Sequence, residues 1–142
     1  MLRLFPLLLI PVIIYNLIVL GGGVVAHHDV FAMLTNTYTF HMFSGDEWKV
    51  TFGDLLLLLA LLLLFAEIIK STHTTSKELI NHGLSLFTFI LALIEFITLK
   101  GFATSIFFFI MITTLFDTMA GYTISIVAAE HDLGMGKAGT DD

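Results

Sequence analysis

The sequence predicts an all-α membrane protein: an antiparallel four-helix transmembrane bundle with a short extramembrane β-hairpin between helices 1 and 2. Three observations predict it. The 142 residues are 57% hydrophobic with a mean hydropathy of +0.97, well above the roughly half-apolar make-up of soluble domains. Apolar runs fall at about residues 4–26, 53–70, 78–100 and 102–129, each close to or above the ~20 residues that cross a hydrocarbon core of about 30 Å. Between the first two runs, residues 27–52 turn polar and aromatic and alternate as paired strands do. The runs leave no room for a separate soluble domain, so residues 1–142 read as one domain with a polar tail over 130–142.

Charge and cysteine usage narrow the classes further. Twelve acids face six scattered bases, for a net charge of -6. That argues against nucleic acid as a partner and against a polybasic headgroup patch. With no cysteine, disulfides, thiolate catalysis and cysteine metal centres are excluded.

The first run holds Pro6 and Pro11 near its start, where a missing amide costs least, and Gly21, Gly22 and Gly23 near its end. It reads as a retained helix rather than a cleaved signal peptide, with Tyr15 and Asn16 as its polar points. An Asn at that depth is expected to bond to a neighbouring helix. In the outer loop, Thr37 to Phe43 and Trp48 to Phe52 alternate, with Ser44 to Glu47 as the turn. Tyr38, Phe40 and Met42 share a face, as do Trp48, Val50 and Phe52. That apolar face is expected on the helix ends or in the interfacial layer, which Trp and Tyr favour.

The second run is almost pure leucine, with Thr51 and Asp54 at capping-box spacing before it and Glu67 three positions from Lys70, close enough to pair. In the third, Asn81, Ser85, Thr88, Ala92 and Glu95 recur at steps of four, three, four and three, a seam for packing against another helix. The fourth carries Ser105, Thr113, Asp117, Gly121, Ser125 and Ala129 on one face, broken only by Phe109. Thr113, Gly121, Ser125 and Ala129 form the small-residue pattern that lets helices approach closely. The tail is expected to be mobile or partner-bound.

At about 1.5 Å per helical residue, Asp117 falls level with Ser85 and near Asn81 and Thr88, so it is expected to bond across the seam between the third and fourth helices. Asp54 and Glu95 share an outer level, where two carboxylates cannot both ionise cheaply. Glu67 and His82 match at the inner level. An intramembrane acid is a functional candidate by default, so Asp117, Glu95 and Asp54, with Ser85, Thr88 and Asn81, are the proton or cation candidates. His27, His28, Asp29 and His41 gather in the outer loop as candidate Zn or Cu ligands. Their spacing matches no strong metal motif, and a solvated loop is the simpler reading.

No Ser-His-Asp arrangement, phosphate loop or facing pair of haem histidines is evident, so neither an enzyme nor a resident cofactor is expected. Lipids are the expected surroundings. With both termini inside, Arg3, Lys70, Lys77 and Lys137 outnumber Lys49 and Lys100 outside, which favours cytoplasmic ends; the lack of cysteine and the compact loops are compatible with a multi-pass bacterial inner-membrane protein. In topology alone the layout resembles the tetraspan claudin-like proteins, whose paired loop cysteines are absent here, and no residue role is carried over. The expected role is a non-enzymatic membrane subunit acting through helix–helix association, as a homo-oligomer or an accessory subunit of a larger complex. The alternative is a small oligomeric channel or proton- or cation-coupled transporter using the intramembrane carboxylates.

Overall fold

The computed structural model describes residues 5–25, 29–72 and 78–138. It is mostly helical, with one two-stranded antiparallel sheet. Helix α1 (Leu9–Asn16) widens into a π-helical segment at Leu17–Val25. A single turn of helix, α2 (Val30–Leu34), leads to the hairpin strands β1 (Thr37–His41) and β2 (Glu47–Thr51). Three long helices follow: α3 (Phe52–Ser71), α4 (Glu78–Thr98) and α5 (Ser105–Ala138).

Sequence chemistry explains most of these boundaries. The Asn16 side chain donates to Val12 O at 3.1 Å, inserting itself into the i→i−4 ladder next to the point where the helix widens, a recognised cause of such irregularity. Asp29 caps α2 by accepting from the Phe31 and Ala32 amides. In the hairpin, Tyr38 opposes Val50 and Phe40 opposes Trp48. The turn differs from the expected Ser44–Glu47: Met42 bonds Asp46, Gly45 bonds Met42 O, and Gly45 sits at φ +90. Glu47 is thereby drawn into the strand. Phe52 leaves the strand pattern because Thr51 and Asp54 close a reciprocal capping box and α3 starts there.

Helix α4 ends at a tight turn in which Gly101 has φ +88, backbone that L side chains disfavour. Thr104 then caps α5 by accepting from the Phe107 amide at 3.2 Å, so the helix starts three residues later than expected. Its far end differs more. The tail expected from Glu130 onward is helical through Ala138, since no proline interrupts it and Gly134 and Gly136 weaken a helix without ending it.

Helix α5 packs most extensively against α4 and then α3. Phe96 meets Phe108 at 5.8 Å between ring centroids and His82 bonds Ser125, which fixes α4 and α5 as antiparallel neighbours. The buried residues of α3 include Gly53, Leu56, Ala60, Glu67 and Ser71, a stripe at helical spacing. The hairpin end of the helices is closed by an aromatic knot: Tyr15 lies 5.5 Å from Phe102 and 4.7 Å from Phe107, ring to ring.

Among the described residues, two helices are long and apolar enough to cross a membrane: Phe52–Ser71, with mean hydropathy 2.5, and Ser105–Val127, with 1.4. The apolar stretches Leu9–Gly22 and His82–Thr98 are shorter.

Candidate functional site

Buried polar side chains gather at two levels. At the hairpin end, the Tyr15 hydroxyl donates to Gly101 O at 3.0 Å and shares a 2.6 Å hydrogen bond with the Thr104 hydroxyl. One residue on, Asn16 donates to Glu95 Oε2 at 2.9 Å, tying α1 to α4. Tyr15 is wholly buried, so its hydroxyl needs these partners to offset the loss of water.

At the opposite end the cluster is ionisable. Glu67 is 0% exposed and takes Lys70 Nζ at 2.8 Å and the Leu7 amide at 3.4 Å. Lys70 also donates to Phe5 O at 2.9 Å. The start of the chain is thus fastened to the end of α3 by a charge pair that itself reaches main-chain groups. One layer across, on α4 and α5, His82 shares a 3.0 Å hydrogen bond with Ser125 and its ring lies 5.8 Å from that of Tyr122. Gly121 makes this possible: a Cβ there would collide with the His82 imidazole.

Between these pairs lies Asp117, 3% exposed, with Ser85, 2% exposed, facing it. Asp117 Oδ2 and Ser85 Oγ each lack a hydrogen bond of good geometry. Such orphaned groups are rare in folded proteins and each calls for an explanation. Among the described residues, Glu67 and Lys70 are charges that act on Asp117.

The other candidates are placed as follows. Thr88 and Thr113 are buried, and their hydroxyls bond the Leu84 and Ile110 carbonyls of their own helices. The side chain of Asn81 lies outside the described residues, and Ala129 is exposed. Asp54 and Glu95 are not brought into one site: Asp54 is exposed and committed to the Thr51 cap, while Glu95 is met by Asn16. A shared level does not imply a shared face of the helices. His27 and His28 lie outside the described residues. Asp29 caps α2, and His41 lies 3.7 Å from Glu47 on the polar face of the hairpin. Among the described residues no group of three or more His, Cys, Asp or Glu converges on one point.

Sequence reading left two features unassigned. The Tyr15–Thr104 bond joins residues 89 positions apart, which no local pattern signals. The Asn16–Glu95 pair was partly signalled, since each residue is a polar point in an apolar run, but nothing in the spacing matched one to the other.

Comparison with protein-family models, curated proteins and solved structures finds no match to this chain.

Proposed function

We propose that this chain is a multi-pass integral membrane protein whose four helical segments each cross the bilayer, and that it works through helix–helix association, as a homo-oligomer or as an accessory subunit of a larger membrane complex. One observation carries the reading: the helices bury polar side chains beside their apolar core and expose large apolar ones. Glu67, His82, Ser85, Thr88, Thr113, Thr114, Asp117 and Thr118 are buried, while Leu58, Leu62, Phe65, Phe87, Ile94, Ile97, Phe109, Phe116 and Met119 are exposed. Water would oppose that arrangement and a lipid or protein neighbour of the same polarity favours it.

The ends of the segments support four crossings. Phe5 and Leu7 meet the end of α3, whereas Tyr15 meets the α4–α5 turn and Asn16 meets Glu95, so the first segment touches its neighbours toward both of their ends. With the hairpin on one side, Lys70 belongs to the opposite side, and the sequence count of four bases against two favours that side as cytoplasmic in a bacterial inner membrane. Because Glu67 and Asp117 are buried within the single chain, the large apolar side chains of the helices are left for outer contacts, as association requires. No catalytic role is assigned.

Native mass measurement in nanodiscs tests the role. A defined oligomer, or a fixed ratio to another membrane chain, is the expected result. A lone monomer that conducts protons or cations in liposomes would contradict it and support the second reading, a small cation-coupled transporter, which the unpartnered Asp117 and Ser85 oxygens favour.

A further inference from the structure

The surroundings of Asp117 leave two buried oxygens over. Glu67 and Lys70 lie on α3 as a pair at 2.8 Å, so their charges offset each other. His82, one turn from Ser85 on α4, bonds Ser125, and Tyr122 of α5 stacks near it. From the start of the chain, Leu7 and Phe5 offer this end a main-chain amide and a carbonyl, and both go to the Glu67–Lys70 pair. Asp117 itself sits at a position 3% exposed, where a carboxylate without compensation is costly.

Two unpartnered oxygens face each other at the same point, Asp117 Oδ2 and Ser85 Oγ. Both are hard donors. The hydroxyls of Thr113, four residues before Asp117, and of Thr88, three after Ser85, each donate to a carbonyl of their own helix and keep lone pairs to offer. An all-oxygen site with a single carboxylate suits a hard monovalent cation. A divalent ion would call for more carboxylates than one.

We infer that the Asp117 carboxyl and the Ser85 hydroxyl form a binding site for one hard monovalent cation, a proton or a sodium ion, within the helix interior. The inference rests on the membrane placement proposed above and is independent of whether the chain acts alone or with partners. The cation offsets the carboxylate charge and occupies both orphaned oxygens. A protonated Asp117 becomes a donor, for which the Ser85 oxygen is the facing acceptor. Sodium instead draws both oxygens as ligands.

Dicyclohexylcarbodiimide, which attacks protonated carboxyl groups in apolar surroundings, tests the site on the full chain in nanodiscs, with adducts located by peptide mass spectrometry. The expected adduct is on Asp117, not on the Lys70-paired Glu67, and its rate falls about tenfold per pH unit above the midpoint. If the cation is a proton alone, replacing choline chloride by sodium chloride changes nothing. If sodium binds, it protects in a saturable way and choline does not. Asp117→Asn removes the adduct with unchanged helicity and elution. Ser85→Ala keeps the adduct but shifts the midpoint by about one unit, or the protecting sodium concentration about tenfold. An Asp117 that stays unmodified at every pH, or is modified without regard to pH and sodium, overturns the site. So does a Ser85→Ala protein with the wild-type response. Such failures in a protein that still spans the bilayer leave the membrane reading intact.

Discussion

The two buried polar clusters differ in what they leave over. At the hairpin end, the Tyr15 hydroxyl, Thr104 hydroxyl and Asn16 carboxamide all reach acceptors between 2.6 and 3.1 Å. At the opposite end, a charge pair, an imidazole and a carboxyl crowd together, and two oxygens are left without partners. The first arrangement fixes the position of α1 against the α4–α5 turn and against Glu95 of α4. The second holds the chain start to α3 and α4 to α5, yet retains an unused capacity for a ligand. Satisfied networks rigidify, and partly satisfied ones carry stakes beyond packing.

Substitutions separate the two roles. The largest expected effect is Lys70→Met, which strips the Nζ donor from a fully buried Glu67 and should cost about 3–5 kcal/mol in unfolding monitored by circular dichroism. Adding Glu67→Gln should recover most of it. A single Lys70→Met protein as stable as wild type would mean the pair is not buried in the folded state. Next comes Gly121→Ala, whose Cβ meets the His82 ring. It should cost about 1–3 kcal/mol by overpacking, and much less in a His82→Ala background, a coupling that a double-mutant cycle reads directly. Additive costs would place the two residues apart.

At the hairpin end the effects should be smaller and purely structural. Tyr15→Phe keeps the ring against Phe102 and Phe107 but loses its hydroxyl bonds, at about 1 kcal/mol. Its carbodiimide labelling at Asp117 should match wild type, and a changed labelling profile would erase the distinction between the clusters. Smallest of all is Trp48→Ala, with less than about 0.5 kcal/mol expected, because the ring is 55% exposed. Trp48 is the only tryptophan, so quenching of its fluorescence by brominated lipid reports the hairpin directly. Tyr38, Phe40 and Trp48 are all exposed on one face, and quenching is expected if that face lies in the interfacial layer. Unquenched emission would place it in water or against protein.

What the sequence made legible was local. A leucine run behind Thr51 and Asp54 announces α3, and strict alternation announces the hairpin, because capping and pleat are properties of adjacent residues. Counting 1.5 Å per residue also put Asp117 level with Ser85, and the structure sets the two face to face. Counting gives depth without direction, however. Asp54 and Glu95 share a level, yet the cap takes one and Asn16 takes the other. The widening of α1 after Asn16, the single turn of α2 and the run of α5 through Ala138 were not legible either. Each depends on which competing bond wins rather than on a periodic pattern.

The central claim, four crossings with the polar side chains turned inward, is tested most directly by where chain positions meet water. The chain has no cysteine, so single-cysteine variants label cleanly with a membrane-impermeant maleimide in right-side-out and inverted vesicles. Phe43→Cys and Lys100→Cys should react from one face only, and Phe5→Cys, Thr72→Cys and Glu130→Cys only from the other. Labelling of all five from the same face would contradict the account.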